Sequence, residues 1–217
     1  GPGLDLVALN PKVSISLVGH EAFAAEETLD AATRAAARDV GHQEACQDSR
    51  FQFVEGTVEE ADRYCQRLAD HLRAQASTEG GRPTPPEILE VVAERVDAGE
   101  PVRTWGGPDG AGLVIRSAAP LPIYPIGRTV NVVPFRDLRE VIRHVDTRTQ
   151  TVGVYPDARR AAVKDAMCAS GAQRIVALGA SIGTEPPHGR PHDGFNVLHR
   201  MVRWVVEEER PPSGCER

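Results

Sequence analysis

Residues 12–40 read KVSISLVGHEAFAAEETLDAATRAAARDV, and the two halves of this stretch carry different periods. The first seven residues are rich in β-branched side chains with partial alternation and run into a Gly-His pair, which predicts a buried strand. The Ala-rich remainder has high helix propensity and places acidic residues in its first turn, where the helix dipole favours them, so a helix over 24–40 is expected, stopped by Gly41. A second strand and helix follow, with no internal repeat of the sequence. Residues 50–55 (RFQFVE) alternate like a half-buried strand, and Val58, Ala61, Cys65, Leu68 and Leu72 fall at helical spacing across 57–75, which turns Cys65 toward the core.

Working outward, 76–83 reads as an exposed linker, and Thr84-Pro-Pro-Glu87 as a capped start for a helix over 85–98. Residues 105–112 (WGGPDGAG) form a turn-rich bend into a strand at 113–116. The proline-rich connector 119–127 leads to a strand at 129–134, and these two strands are expected to be neighbours. A helix near 136–145, a strand at 150–155, a helix at 157–169, a strand at 174–178 and a final helix near 194–209 complete the pattern. Alternation of this kind predicts an α/β fold with a mostly parallel sheet flanked by helices, and directs the search for ligands to loops beyond the carboxyl ends of the strands. The loop 179–194, GASIGTEPPHGRPHDG, is longer than a connection requires.

Composition narrows the function. Of 217 residues, 41% are hydrophobic, 26% charged and 5% aromatic, which fits a globular domain with a Val, Leu, Ile and Ala core. Lys and Arg number 25 against 31 Asp and Glu, a net charge of -6, so the basic surface that nucleic acid binding needs is absent. No membrane span is expected, since no run approaches the roughly 18 apolar residues one requires. With no basic-then-apolar leader, a cytoplasmic location is expected. Neither a Gly-x-Gly-x-x-Gly nor a Gly-x-x-x-x-Gly-Lys-Ser/Thr loop occurs. Gly1-Pro2-Gly3 reads as a tag remnant, 4–210 as one thiol-bearing catalytic domain and 211–217 as a flexible tail.

The cysteines at 46, 65, 168 and 215 form no Cys-x-x-Cys pair, so each is judged singly. Cys46 lies in Gly41-His-Gln-Glu-Ala-Cys46-Gln-Asp-Ser-Arg50, a polar break between helix and strand. With His42 and Arg50 near in sequence it reads either as a nucleophile or as an incidental small residue. Cys168 reads as a packed thiol and Cys215 as a disordered one. Trp105 and Trp204 read as core or interface anchors, and Arg159-Arg160 and Glu207-Glu-Glu209 as solvated helix faces. His188, His192 and Asp193 could line an active site or, for Asp193, cap a helix. No set of metal ligands is visible, so no metal is expected.

Several segments together resemble one family: Lys12-Val-Ser-Ile-Ser-Leu-Val-Gly-His-Glu-Ala-Phe23, Asp39-Val-Gly-His-Gln-Glu-Ala-Cys46, Phe53-Val-Glu-Gly56, Arg128-Thr-Val-Asn-Val-Val-Pro134, Gln150-Thr-Val-Gly153, Pro191-His-Asp-Gly194 and Leu198 to Trp204. In this order they are similar to the thiol-bearing portion of the LuxC-type fatty acyl-CoA reductases of the aldehyde dehydrogenase superfamily. The resemblance implies an aldehyde-dehydrogenase-like catalytic domain in which Cys46 takes an acyl group from acyl-CoA or an acyl carrier protein as a thioester. NADH or NADPH then reduces it to an aldehyde. It implies that His42, His192 and Asp193 stand at the active-site rim and that the backbone N–H of Cys46, or a neighbouring amide, helps to hold the oxyanion. It also implies that the cofactor-binding domain is absent from this chain, with a homo-oligomer or an acyl-supplying enzyme as partner. A non-catalytic scaffold domain of the same fold is the alternative.

Overall fold

The computed structural model describes residues 11–41, 45–182, 194 and 205–207. The chain divides into two compact units, and the architecture below is that of the unit spanning 10–186. In order it contains β1 (Val13–Val18), α1 (Glu26–Val40), β2 (Ser49–Glu55), α2 (Val58–Glu79), α3 (Pro86–Asp97), β3 (Arg103–Gly107), β4 (Gly112–Arg116), β5 (Thr129–Phe135), β6 (Thr149–Tyr155), α4 (Arg160–Ser170) and β7 (Arg174–Ala177). Short 3₁₀ helices occupy His20–Phe23, Leu138–His144 and Asp157–Arg159.

The strands form one sheet in the order β3-β4-β5-β2-β1-β6-β7. Every pairing is parallel except β3 with β4, as the alternating pattern requires. The period of two sorts the side chains. Val18, Val54, Val114, Val130 and Val132 face α1 and α2, whose Ala36, Val40, Leu68 and Leu72 close that side. Ile15, Leu17, Phe53, Val133 and Val154 face the other way, toward Leu138, Val141, Val163 and Met167. A third cluster, Ile88, Leu113, Ile115 and Leu121, lies under α3.

Cys65 is fully buried on α2, as its spacing predicted, and burial pushes its thiol pKa far up. The expected β4–β5 pairing is present. Other boundaries differ. Helix α2 continues through the expected linker to Glu79 and stops at Gly80, whose φ of 71° suits glycine. Thr84 caps nothing: Pro85 precedes the first turn of α3, and the Thr84 hydroxyl pairs with that of Thr129 at 2.8 Å. The bend at 105–112 opens with a real strand, β3, disguised by its two glycines. The expected helix at 136–145 is a 3₁₀ helix, because its buried residues Leu138 and Val141 recur every three residues. Of the helix expected over 194–209, Val205–Glu207 have no regular structure and most of the rest, like 1–3 and 211–217, lies outside the described residues. Trp204 and Cys215 lie outside them as well. Cys168 is exposed rather than packed, since Val163 and Met167 turn the other face of α4 inward. Among the described residues no helix is long and apolar enough to cross a membrane.

A buried amide ties the start of the connector to the sheet. Fully buried Asn131 in β5 donates to the carbonyl of Ile115 at 2.9 Å and to the Ser117 hydroxyl at 2.8 Å, and its Oδ1 accepts from the Leu121 N–H at 2.9 Å. Asn131→Ala strands all three partners in a buried setting, so we expect a loss of about 3 kcal/mol. That is a melting temperature lowered by roughly 6–12 °C, read by calorimetry.

Candidate functional site

Cys46 sits at the amino edge of the sheet, not beyond the carboxyl ends to which fold-level reasoning pointed. The reason is connectivity, because the loop carrying it leaves α1 and enters β2. Gly41, with φ 48°, ends α1, and Ala45–Asp48 make a tight turn. Asp48 accepts from the Ala45 N–H at 2.9 Å and returns its own N–H to the Ala45 carbonyl at 3.2 Å. The Ser14 hydroxyl, from the start of β1, donates to the Cys46 carbonyl at 2.7 Å and accepts from the Thr151 N–H of β6 at 3.1 Å. Beside it the Ser16 and Ser49 hydroxyls meet at 2.7 Å.

Arg50 braces the same turn. Its buried guanidinium donates to the carbonyls of Pro125 and of Ala45, the latter at 3.3 Å, and lies 4.2 Å from the centre of the Tyr124 ring. Asp48, Ser49 and Arg50 are almost wholly buried, while Cys46 is half-buried, so a partly accessible thiol stands on a fixed backbone. Among the described residues none accepts the backbone N–H of Cys46. His42 lies outside the described residues.

The long loop begins beside this turn. After β7 the chain reverses, and Asp39 of α1 accepts from the N–H of Gly179 at 2.8 Å and of Ser181 at 3.0 Å. Arg174 holds the Ser181 and Ala180 carbonyls at 2.5 and 3.0 Å and reaches Oε1 of Gln47, next to Cys46, at 3.3 Å. Ile182 packs so closely on Gly41 that a Cβ there would lie 2.6 Å from its Cδ1. His188, His192 and Asp193 lie beyond this point, outside the described residues. Asp39 was missed in the sequence because an acidic residue in an Ala-rich helix reads as solvated. The available signal was its spacing from Ala32, Ala35 and Ala36, which puts it on the buried face. Burial raises its pKa, against the lowering effect of the Ser181 and Gly179 bonds.

The opposite edge carries a polar network. His20 and Glu55 are 3.1 Å apart, and Arg159 bonds to Glu21 at 2.8 Å, to Nδ1 of His20 at 2.7 Å and to Glu55. His20, Glu21 and Glu55 are ligand-type side chains within reach of one another, and the Arg159 guanidinium supplies the positive charge between them. Arg159 is therefore not the solvated residue its sequence context predicted, since the 3₁₀ turn at Asp157–Arg159 aims it back over the sheet. Its neighbour Arg160 pairs on the surface with Asp157. A cavity of about 1090 Å³ opens beside the network.

Comparison with known proteins agrees with this architecture. Residues 113–204 match the family model described as acyl-CoA reductase (LuxC). A long-chain acyl-protein thioester reductase of Aliivibrio fischeri is 28% identical over 228 residues, covering 97% of this chain and 43% of that protein. The same enzyme of Vibrio harveyi is 33% identical over 89 residues, 41% of this chain and 18% of that protein. Among solved structures, a salicylaldehyde dehydrogenase from Pseudomonas putida G7 superposes with a TM-score of 0.56 at 15% identity, over 81% of this chain and 39% of that one. An indole-3-acetaldehyde dehydrogenase in complex with NAD+ gives 0.55 at 15%, over 83% and 40%. The resemblance to the LuxC-type reductases is thus borne out, and the fold is aldehyde-dehydrogenase-like. The chain spans less than half the length of these relatives.

Because folding raises the Asp39 pKa above its ordinary 3.8, the native state holds that proton more tightly than the unfolded chain. The contribution of this group to stability therefore falls as pH rises through the window above 3.8. We expect Asp39→Asn to flatten this slope in denaturant titrations over a pH series. Asp39→Ala, which removes both acceptors, should speed amide exchange at Gly179 and Ser181 by roughly tenfold or more.

Proposed function

We propose that this chain is the thiol-bearing part of an aldehyde-forming acyl-thioester reductase and that Cys46 accepts the acyl group. The observation that carries the reading is the half-buried Cys46 thiol on a turn pinned by Ser14, Asp48 and Arg50, in a chain that resembles one acyl-protein thioester reductase along 97% of its length. In this reading the Cys46 thiolate attacks the thioester carbonyl and the C–O π pair moves onto oxygen, where the Cys46 N–H is available to donate. Collapse expels coenzyme A or the carrier protein as its thiolate, which takes from solvent the proton that the Cys46 thiol gave up, and the acyl group stays on Cys46 as a thioester. The pinned backbone keeps the sulfur and that N–H in a constant relation through both events.

The N-terminus of α2 does not suit a nicotinamide dinucleotide. That end of the helix, which follows β2, is closed by Thr57 and Glu60, which exchange bonds of 2.8 and 3.2 Å. Glu55 and Glu59 add negative charge there. The reading therefore assigns NADH or NADPH, the hydride donor that such a reduction needs, to residues outside those described. His42, His192 and Asp193 remain its rim residues, and 4–210 its catalytic domain.

Incubation with acyl-CoA and with acyl carrier protein thioesters, followed by intact mass spectrometry and peptide mapping, tests the reading. We expect one acyl group on Cys46 and none in Cys46→Ala. A folded chain that stays unmodified with every donor would instead favour a scaffold role.

A further inference from the structure

We infer that Asp39 and Arg174 are positioning residues for Cys46: between them they carry the chain reversal after β7 and seat it against the cysteine turn. The inference rests on the acyl-transfer reading above, which uses neither residue.

The reversal, residues 178–181, leaves the sheet once the Leu178 N–H has donated to the Val154 carbonyl at 2.9 Å. Beyond that point two side chains of opposite charge replace the ladder. Asp39 accepts from the Gly179 and Ser181 N–H groups, one on each carboxylate oxygen, and the Ala180 N–H turns back to the Ala177 carbonyl at 3.1 Å. Arg174 donates to the carbonyls of Ala180 and Ser181. The seat is close-fitting. At Gly179, whose φ is 87°, a Cβ would lie 2.7 Å from Nη2 of Arg38 and 3.1 Å from the Ala35 Cβ. At Gly153 of β6 a Cβ would lie 2.9 Å from Oδ2 of Asp39.

A carboxylate is a costly choice in this place. Asp39 is 1% exposed and lies in the last turn of α1, where the negative end of the helix dipole disfavours it. An alanine would continue the run Ala35-Ala36-Ala37 and favour the helix. What the carboxylate adds is a pair of acceptors for a segment that has left the sheet.

The cysteine turn depends on polar contacts of this kind. None of Ala45, Cys46, Gln47 and Asp48 belongs to an apolar cluster, so apolar packing does little to place them. Ser14 and Arg50 hold the turn from the sheet. From β7, the same Nη1 of Arg174 that donates to the Ser181 carbonyl also donates to Oε1 of Gln47 at 3.3 Å. Ile182, directly after Ser181, meets Gly41 at the head of the loop. Dependence therefore runs from Asp39 through the reversal to Arg174 and Gln47, and ends at the peptide that joins Gln47 to Cys46. Attack on a carbonyl tolerates little drift of the sulfur.

The test uses the 217-residue chain as parent and as Asp39→Asn, Asp39→Ala, Arg174→Lys and Arg174→Ala. Thermal melts, and a Cys65 thiol that stays closed to iodoacetamide, confirm that each variant folds. Amide exchange is read at Ala45 and Asp48, whose N–H groups bond within the turn and touch neither Asp39 nor Arg174. Exchange there is expected to quicken about tenfold in both alanine variants, and less in Asp39→Asn, which keeps one acceptor. Arg174→Lys, which keeps the charge without the fork, should behave like Arg174→Ala. Single-turnover acylation of Cys46 by octanoyl-CoA should slow about tenfold at saturating donor, with half-saturation held within about twofold. Quicker exchange at Gly179 and Ser181 with Ala45 and Asp48 unaffected overturns the inference. So does a raised half-saturation at an unchanged maximal rate, which would make the two residues part of a donor-binding surface. Coupled exchange in a chain whose Cys46 is never acylated keeps the mechanical link and overturns the acyl-transfer reading.

Discussion

The Ser14 hydroxyl is the hinge of the molecule. It sits near the start of β1, donates to the carbonyl of Cys46 and accepts from the N–H of Thr151, so one side chain joins β1, β6 and the loop before β2. A loop crossing the edge of a buried parallel sheet has backbone groups that the ladder no longer satisfies, and each must find a partner or remain exposed. Here polar side chains supply the partners: Ser14, Asp48 and Arg50 take up the carbonyls and an N–H of residues 45–48. Rigid placement of the turn and satisfaction of its backbone are the same event.

That arrangement separates the two ends of the sheet. At the carboxyl edge Arg159 bridges the Glu21 and Glu55 carboxylates and offsets part of their charge, and the N-terminus of α2 is closed by its own capping box. At the amino edge α1 arrives by its carboxyl end, the negative pole of its dipole, so positive charge there must come from side chains. Arg38 in the last turn of α1, Arg50 beneath the Cys46 turn and Arg174, which reaches across Gln47 to the reversal after β7, provide it among the described residues. Asp39, buried below that reversal, completes the frame by holding Gly179 and Ser181. The start of the long loop is thereby fixed to the cysteine turn from two sides.

Periodic segments were legible in the sequence because their signal is local. The strand at 12–18, the helix at 24–40 and the inward turn of Cys65 follow from hydrophobic spacing alone, and each is present. What was not legible depends on distant partners. RTWGG has the composition of a turn and becomes β3 only because β4 offers an antiparallel edge. Thr84 has the sequence of a cap and pairs with Thr129 instead, 45 residues away. Arg159 looks solvated until β1 and β2 bring Glu21 and Glu55 beneath it. The position of Cys46 in the chain was clear from its polar surroundings, but the edge of the sheet on which it lies required the order of helix and strand to be followed through.

The three described thiols show how little of cysteine chemistry resides in the residue itself. Cys65 is sealed among Val, Leu and Ala, and burial pushes its pKa up so far that the thiol is a small hydrophobe. Cys168 is open to water on the outer face of α4. Cys46 alone of the three combines partial access, a backbone tied to two neighbouring strands and an N–H with no acceptor among the described residues. A thiol that is to hold an acyl group must admit a carbonyl and then keep it still. Full burial forbids the first and full exposure the second, so the pinned, half-buried position is the one that meets both demands.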